Sequence, residues 1–534
     1  MLTGNLSIIL EETKKRFVPL TCAFLFAFLF LFPLVLFFKE AIDTKSLGYL
    51  FSQQILQASL NSLVVSTVAA LAALFISLIS ALLLLKLDTR YQIVFSFLLT
   101  WPMLLPSLSH GMGLIILFGK NSWFSRNFVD DSFLIYGFKG ILLGALLYSI
   151  PIGFLMLFDI LRYEDTSKYQ AADILNIPKW SQFLKLRVPF LKKPLICTFF
   201  ALFTLILTDY GVPLMVGGRY QTLPVLMYSE TIGLLNYHKG AIIGTILLLP
   251  AVVAFVLDLN TVKDREVVAR QTYDLKLYRS FPKFLALAFL TIISVYCLLP
   301  SILFLVTSFV FKYPTDLSFT WENIKITLDA GGSEYLVNSL VIALGTSIVG
   351  VISASLFAYF SSFKKSFLSK SLHFMGILSL AVPGLVLGLS YSLFFEDSIL
   401  YGTLAILIFV NVIHFFASPY LMIFNYFEKV GLNLYAAIQT LGVPPKRFFF
   451  DILLPMSKAT QLEMFSYFFI NSMVTISAVA FISTVDTRPV SLMISQFEAQ
   501  MQLECAAIVS LMILFVNLSV KLIIAQLKKY VIKY

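Results

Sequence analysis

About twelve stretches of this chain are each apolar for close to the 20 residues that an α-helix needs to cross the roughly 30 Å hydrocarbon core of a bilayer. They run approximately over 17–38, 57–85, 91–118, 134–160, 195–216 and 240–258, then 283–311, 335–362, 371–395, 400–427, 462–483 and 504–526. A backbone inside hydrocarbon must bond to itself, and the helix is the local way to do so. Composition agrees: 59% of the 534 residues are hydrophobic and 13% charged, which is too little polar surface for a soluble fold of this length. The expected class is an all-α membrane protein of about 12 transmembrane helices, some of them long enough to tilt.

The first stretch follows Lys14, Lys15 and Arg16, as the core of a cleaved leader would. It is too long for one and no A-x-A site follows, so a retained span is expected. Basic residues orient the rest. With the N-terminus inside, 29 of the 39 Lys and Arg fall in inner segments, which predicts that both termini are cytoplasmic. The net charge of +10 is thereby read as membrane orientation and contact with lipid headgroups, not as a nucleic-acid surface. Cys22, Cys197, Cys297 and Cys505 lie in or at the start of spans, and neither they nor His110, His238, His373 and His414 have metal-ligand spacing. No metal site is expected.

The chain is also duplicated. Asn61-Ser62-Leu63 recurs as Asn338-Ser339-Leu340 and Pro106 as Pro383, both shifted by 277 positions, while Asn176 recurs as Gly442 and Pro189 as Pro455, shifted by 266. The difference falls in one outer loop, long at about 119–135 and very short at about 396–399. Six spans per half is an even number, so the two halves are expected to be parallel repeats whose equivalent loops face the same side. The expected domains are a first half over 1–258, a polar cytoplasmic linker over 259–282 and a second half over 283–534. Trp321, in the outer segment 312–334, is read as an interfacial anchor.

Two repeated loops stand out. Gln170 to Leu175 and Ala436 to Leu441 favour helix. They then meet Asn176 and Gly442, the residue types that most readily take the left-handed conformation ending a helix. Pro178 and Pro444 follow two positions later and suit the first turn of a new helix, expected over Lys179 to Arg187 and Lys446 to Leu453 and ending near Pro189 and Pro455. Helix, sharp turn and helix make an elbow in each half, and its small Ala171, Ala172, Ala436 and Ala437 allow close packing against another surface.

The elbows resemble the E-A-A, three residues, G, nine residues, I-x-L-P pattern of the permease subunits of bacterial ATP-binding-cassette importers. Gln170 and Ala436 stand where that family has glutamate, Asn176 where it has glycine, and Leu186 and Val188 where it has the I and L. The resemblance implies a type I importer permease with two parallel six-helix halves in the bacterial cytoplasmic (inner) membrane. It implies ATPase-coupling roles for Gln170, Ala171, Ala172, Asn176, Pro189, Ala436, Ala437, Gly442 and Pro455. The implied partners are an ATP-binding-cassette ATPase dimer, which binds the ATP and Mg, and an extracytoplasmic substrate-binding protein; this chain itself holds no cofactor. Two fused halves look like the iron(III) and thiamine permeases, and residues 208–224 (TDYGVPLMVGGRYQTLP) are similar to a segment of the iron(III) type. Iron(III) is the expected cargo, thiamine the next, and polyamines or phosphonates further alternatives.

No G-x-x-x-x-G-K-[ST] loop occurs, so the chain has no phosphate cradle of its own and is not expected to be an enzyme. Asp209 and Tyr210, near the outer end of the fifth stretch, and Asn471 and Thr475 in the eleventh are the candidates for the translocation path. A carboxylate at such depth is costly unless paired or wet, and Asp209 has Thr475 as its counterpart in the repeat. The alternative for Asp209 is a loop cap at Gly211 that otherwise meets only water, and for Asn471 a contact between helices. An ion-driven secondary transporter also fits twelve spans in two halves, but it needs more ionisable groups within its spans than this chain has. A membrane-embedded enzyme needs a cluster of charged or His side chains that is absent here.

Overall fold

The computed structural model describes residues 2–42, 48–120, 122, 125–126, 135–162, 164, 167–262, 283–363 and 366–533. Of the expected linker, 263–282 lies outside the described residues, as does the side chain of Ala436. Each of the twelve apolar stretches holds helix among the described residues, although that of the eleventh ends at Val474. Among the described residues seven helices are long and apolar enough to cross a membrane, and two bent pairs would raise that to nine. The seven are Pro19–Ile42, Gln53–Leu84, Phe138–Arg162, Lys179–Thr208, Lys283–Thr307, Glu322–Ser362 and Leu503–Val531. Shorter apolar helices cover Ser107–Phe118 and Tyr237–Val253.

The third stretch of each half is broken in the same way. In the first half, helix Thr89–Leu99 passes through a tight turn at Trp101–Leu104 and restarts at Ser107–Phe118 after Pro106. In the second, Phe367–Leu378 passes through Ser379–Ala381 and restarts at Gly384–Phe395 after Pro383, with a bend of 108°. The repeated proline explains both breaks, because it lacks an N–H to continue the helix and excludes helical backbone at the residue before it. Sequence spacing marks these prolines as a repeat, and the structure adds that each breaks a span.

The repeated Asn-Ser pairs also have one job. Asn61 Nδ2 donates to the Gln221 carbonyl at 2.9 Å and Ser62 Oγ accepts from the Leu223 N–H at 2.7 Å. Asn338 Nδ2 donates to the Asp486 carbonyl at 2.8 Å and Ser339 Oγ accepts from the Val490 N–H at 2.8 Å. In each half the second helix thus satisfies backbone groups of the irregular segment beyond the fifth.

Contacts divide the described chain into two units. One contains Gly48–Ala330 with Met493–Met512. Its core is a close pair of helices, Gln53–Leu84 and Phe138–Arg162, whose facing residues Ala69, Ala70, Ala73, Ser77 and Ala145 are buried and small enough to let backbones approach. The other contains Met1–Leu47, Gly331–Leu492 and Ile513–Tyr534. There Phe26 of the first helix packs on Phe357 and Phe416 with ring centroids 5.2 and 5.1 Å apart, so the first helix belongs by contact with residues late in sequence.

A short hairpin, Val310–Lys312 against Asp316–Phe319, joins the end of the seventh stretch to the outer segment 312–334. Glu504, nearly buried at the start of the last helix, accepts from the Tyr313 N–H at 2.6 Å and faces Lys312 at 3.4 Å. Beside the hairpin, exposed Trp321 packs edge-on against Phe309 and Phe319.

Candidate functional site

Both elbows form, and both end as their sequence requires. Asn176 has φ 50° and Gly442 φ 67°. After the helix Ser167–Ile174, the Ile177 N–H donates to the Ala172 carbonyl at 2.9 Å and the Asn176 N–H to the Asp173 carbonyl at 3.0 Å, the two bonds of a Schellman ending. In the second elbow, the Val443 N–H donates to the Ile438 carbonyl at 3.2 Å after the helix Ala417–Thr440. Pro178 and Pro444 then cap the restart with extended backbone, and their carbonyls accept from Gln182 and Phe448. Gln170, Ala171 and Ala437 are exposed, whereas Ala172 is buried.

The second arm differs from expectation in the first half. It does not end near Pro189 but runs on through Val188–Thr208 as part of one apolar helix from Lys179. In the second half it stops at Ser457, just past Pro455, and helix Lys458–Val474 begins. In both copies a π-helical turn, Phe183–Arg187 or Phe448–Leu453, immediately precedes the proline region. A wider turn relieves the clash between a proline ring and the carbonyl one turn back, so helix can approach each proline without a sharp kink.

What holds each elbow is not duplicated. In the first, Asp173 bridges the turn, receiving Lys179 Nζ at 2.5 Å and Gln182 Nε2 at 2.6 Å. Glu164, with no side-chain exposure, accepts a hydrogen bond from the Tyr169 hydroxyl and is ion-paired with Lys168 at 3.2 Å and Arg187 at 3.5 Å. The 266 shift maps Glu164, Lys168, Gln182 and Arg187 onto Val430, Leu434, Phe448 and Leu453, and the 277 shift maps nearby Lys86 onto Phe363. There Phe448 packs on Phe363 with centroids 5.3 Å apart, Phe449 packs on Tyr359 at 5.2 Å, and Leu453 is fully buried. One elbow is anchored by charge and the other by rings. No single residue in the sequence announced this, but all five positions change together when the halves are aligned.

The hydrogen bonds from Lys179 and then Gln182 hold the Asp173 carboxyl below its ordinary pKa. A depressed acid pKa means that the clamp is fully present above the usual carboxylate value, about 4, and is lost as pH falls through the folded one. Proteolysis at the elbow is therefore expected to be flat from about pH 8 to pH 5 and to rise only below about pH 4. A rise centred near pH 6 would show that some other group governs the turn.

Of the four path candidates, Asp209 has the most partners. It is half-buried, and its carboxylate accepts from the Gly211 N–H at 3.3 Å and the Val212 N–H at 3.1 Å, which is a cap at Gly211. It does more than cap, since the hydroxyls of Ser107 and Tyr148 also hydrogen-bond to it. Tyr210 is buried and stacks on Tyr228 at 5.1 Å. Asn471 donates to the Tyr467 carbonyl of its own helix at 2.7 Å, and the buried Thr475 accepts the Ser491 hydroxyl on its carbonyl at 2.8 Å. His110 is fully buried and stacks on Tyr148 at 6.2 Å. Among the described residues no three His, Cys, Asp or Glu side chains converge as a metal site would require.

The profile of the family described as "Binding-protein-dependent transport system inner membrane component" matches this chain twice, over residues 73–262 and 347–533. The ferric transport system permease protein FbpB of Actinobacillus pleuropneumoniae is 25% identical over 448 residues, 80% of this chain and 65% of that protein. The match thus spans just under two thirds of that relative's length. The putative ferric transport system permease protein FbpB 1 of Haemophilus influenzae is 25% identical over 523 residues, covering 90% and 80% of the two chains. The thiamine transport system permease protein ThiP of the same organism is 30% identical over 152 residues, 27% of this chain and 28% of that one.

Proposed function

The chain belongs to the family of binding-protein-dependent transport system inner membrane components, and from that premise we propose that it is the transmembrane subunit of an ATP-driven importer. A soluble binding protein delivers cargo to the outer face, and a separate ATPase dimer binds ATP and Mg and pulls on the two elbows, with both termini on the ATPase side. The observation that carries the coupling role is the pair of elbows with left-handed endings at Asn176 and Gly442. Their tips expose equivalent leucines, Leu175 at 72% and Leu441 at 77%. Matched apolar tips on helices outside the longest spans are what a grooved partner would cover.

Under this reading Gln170, Ala171, Ala172, Asn176 and Pro189 form one docking element, and Ala436, Ala437, Gly442 and Pro455 the other. Ferric iron is the favoured cargo and thiamine the next, supported by relatives named for those transports. The division into halves at 1–258 and 283–534 is kept as part of the proposal.

Changing Ala437 or Gly442 to glutamate is expected to leave the complex assembled and hydrolysing ATP while uptake of ferric iron falls by about tenfold or more, as an apolar contact acquires a buried charge. Coupled uptake at the ordinary rate in both variants, with the protein inserted, would count against the docking role.

A further inference from the structure

In each half the broken third span meets the same two neighbours, and the chemistry of that junction differs between halves. In the first, Ser107 opens the helix after the Pro106 break, Tyr148 comes from helix Phe138–Arg162, and both hydroxyls turn to Asp209. Under the 277 and 266 shifts Ser107, Tyr148, Asp209 and Gly211 become Gly384, His414, Thr475 and Ser477. A Cβ built on Gly384 would stand 2.2 Å from Ser477 Oγ and 3.1 Å from His414 Nε2, so these side chains close on the break as Tyr148 and Asp209 do in the other half. The carboxylate and phenol of one junction are thus replaced by a hydroxyl and an imidazole in the other.

The Asp209 carboxyl group is held by four neutral donors, two hydroxyls and two backbone N–H groups, and among the described residues no Lys or Arg acts on it. Part of the residue stays accessible at the end of the apolar helix Lys179–Thr208. A carboxylate at such a place is costly against lipid, so its open side is expected to turn toward the protein interior or a wet path.

We propose that the Asp209 junction is the cation-selecting station of the translocation path, where a hard multivalent cation passes through the oxygens of Asp209, Tyr148 and Ser107. The proposal rests on the reading of the chain as an importer permease and names the chemistry its path selects. All three side chains offer oxygen, the donor type that hard cations prefer. At rest the two hydroxyl protons point at the carboxylate. On arrival of a cation those O–H groups rotate and present lone pairs to it, while the carboxylate keeps its backbone bonds at Gly211 and Val212. One carboxylate against a multivalent ion, with no second acid or His converging, makes a site weak enough to release what it admits. The neutral Gly384–His414–Ser477 junction adds no second trap.

The test titrates the purified full chain with terbium(III), a hard trivalent cation whose emission is sensitised by nearby tyrosines. A saturable signal is expected, weakened about tenfold or more by Asp209→Asn as the focused charge is lost. Asp209→Glu should recover most of the affinity, and Tyr148→Phe should dim the emission. In the reconstituted complex, Asp209→Asn should lower ferric iron uptake by a similar factor. Unchanged terbium affinity in Asp209→Asn overturns the proposal. So does an equal loss in Asp209→Asn, Asp209→Glu and Tyr148→Phe together with a matching fall in unfolding temperature, the behaviour of a purely structural lock. An unmodified complex that imports no iron although its chain binds terbium through Asp209 overturns the iron reading and leaves the station standing.

Discussion

Replacing Glu164 by valine alone is expected to destabilise the first elbow by about 3–5 kcal/mol, because it takes the carboxylate out of a buried ion pair. The side chain of Glu164 is fully buried and that of Arg187 is 8% exposed, so water offers little compensation. Replacing the three charged side chains together should do less harm. The triple change Glu164→Val, Lys168→Leu and Arg187→Leu copies the second elbow, where Val430, Leu434 and Leu453 occupy these positions. A buried ion group exchanged for packed apolar residues of similar size is commonly neutral or stabilising. Limited proteolysis at the elbow and transport by the assembled complex are the measurements. The single variant should be cut readily and transport poorly, and the triple variant should recover both. If the triple variant were the worse of the two, the idea that the elbows are alternative solutions to one anchoring problem would fail.

The second large effect concerns two glycines related by the repeat. Gly111 and Gly388 lie just past the proline breaks, where the restarted helix touches the outer end of the fifth stretch of its half. A Cβ on Gly388 would stand 2.7 Å from the Ala478 carbonyl oxygen, and one on Gly111 would stand 2.6 Å from Met215 Cβ. Neither obstacle can swing aside, because a carbonyl oxygen and a Cβ are both fixed by their own backbone. Gly388→Ala and Gly111→Ala are therefore each expected to cost at least what is typical of overpacking, about 1–3 kcal/mol. Yields of folded protein and unfolding temperatures of the two variants measure it. An unfolding temperature unchanged in either variant would mean that the packed segments there can part at no cost.

Much of this structure could be read from sequence because its strongest signals are local. Apolar length yields helices wherever hydrocarbon forbids other backbone, and Asn176 and Gly442 end helices through their own conformational freedom. What escaped depends on contacts between distant residues. Glu164 sits between Tyr163 and Asp165 with nothing nearby to mark it as the centre of an ion group; its partner Arg187 lies beyond the turn. Tyr148 and His414 correspond only after the eleven-residue difference between the halves is removed, and Tyr148 shows its relation to Asp209 only when helices are packed. The π-turns were illegible for another reason: their i→i+5 bonds leave no composition signal, and the prolines that favour them were read simply as stops.

The placement of the first helix has a consequence for how such a chain can be made and divided. Phe26 packs on Phe357 and Phe416, so its helix must wait until residues far along the polypeptide have been made before its partners exist. A gene cut between residues 258 and 283 would send that helix and its packing surface into separate products. Two such products could complete the unit only by finding each other in the membrane, at the mercy of their expression levels. Fusion into one chain makes the encounter intramolecular and sets the ratio of the halves at one to one.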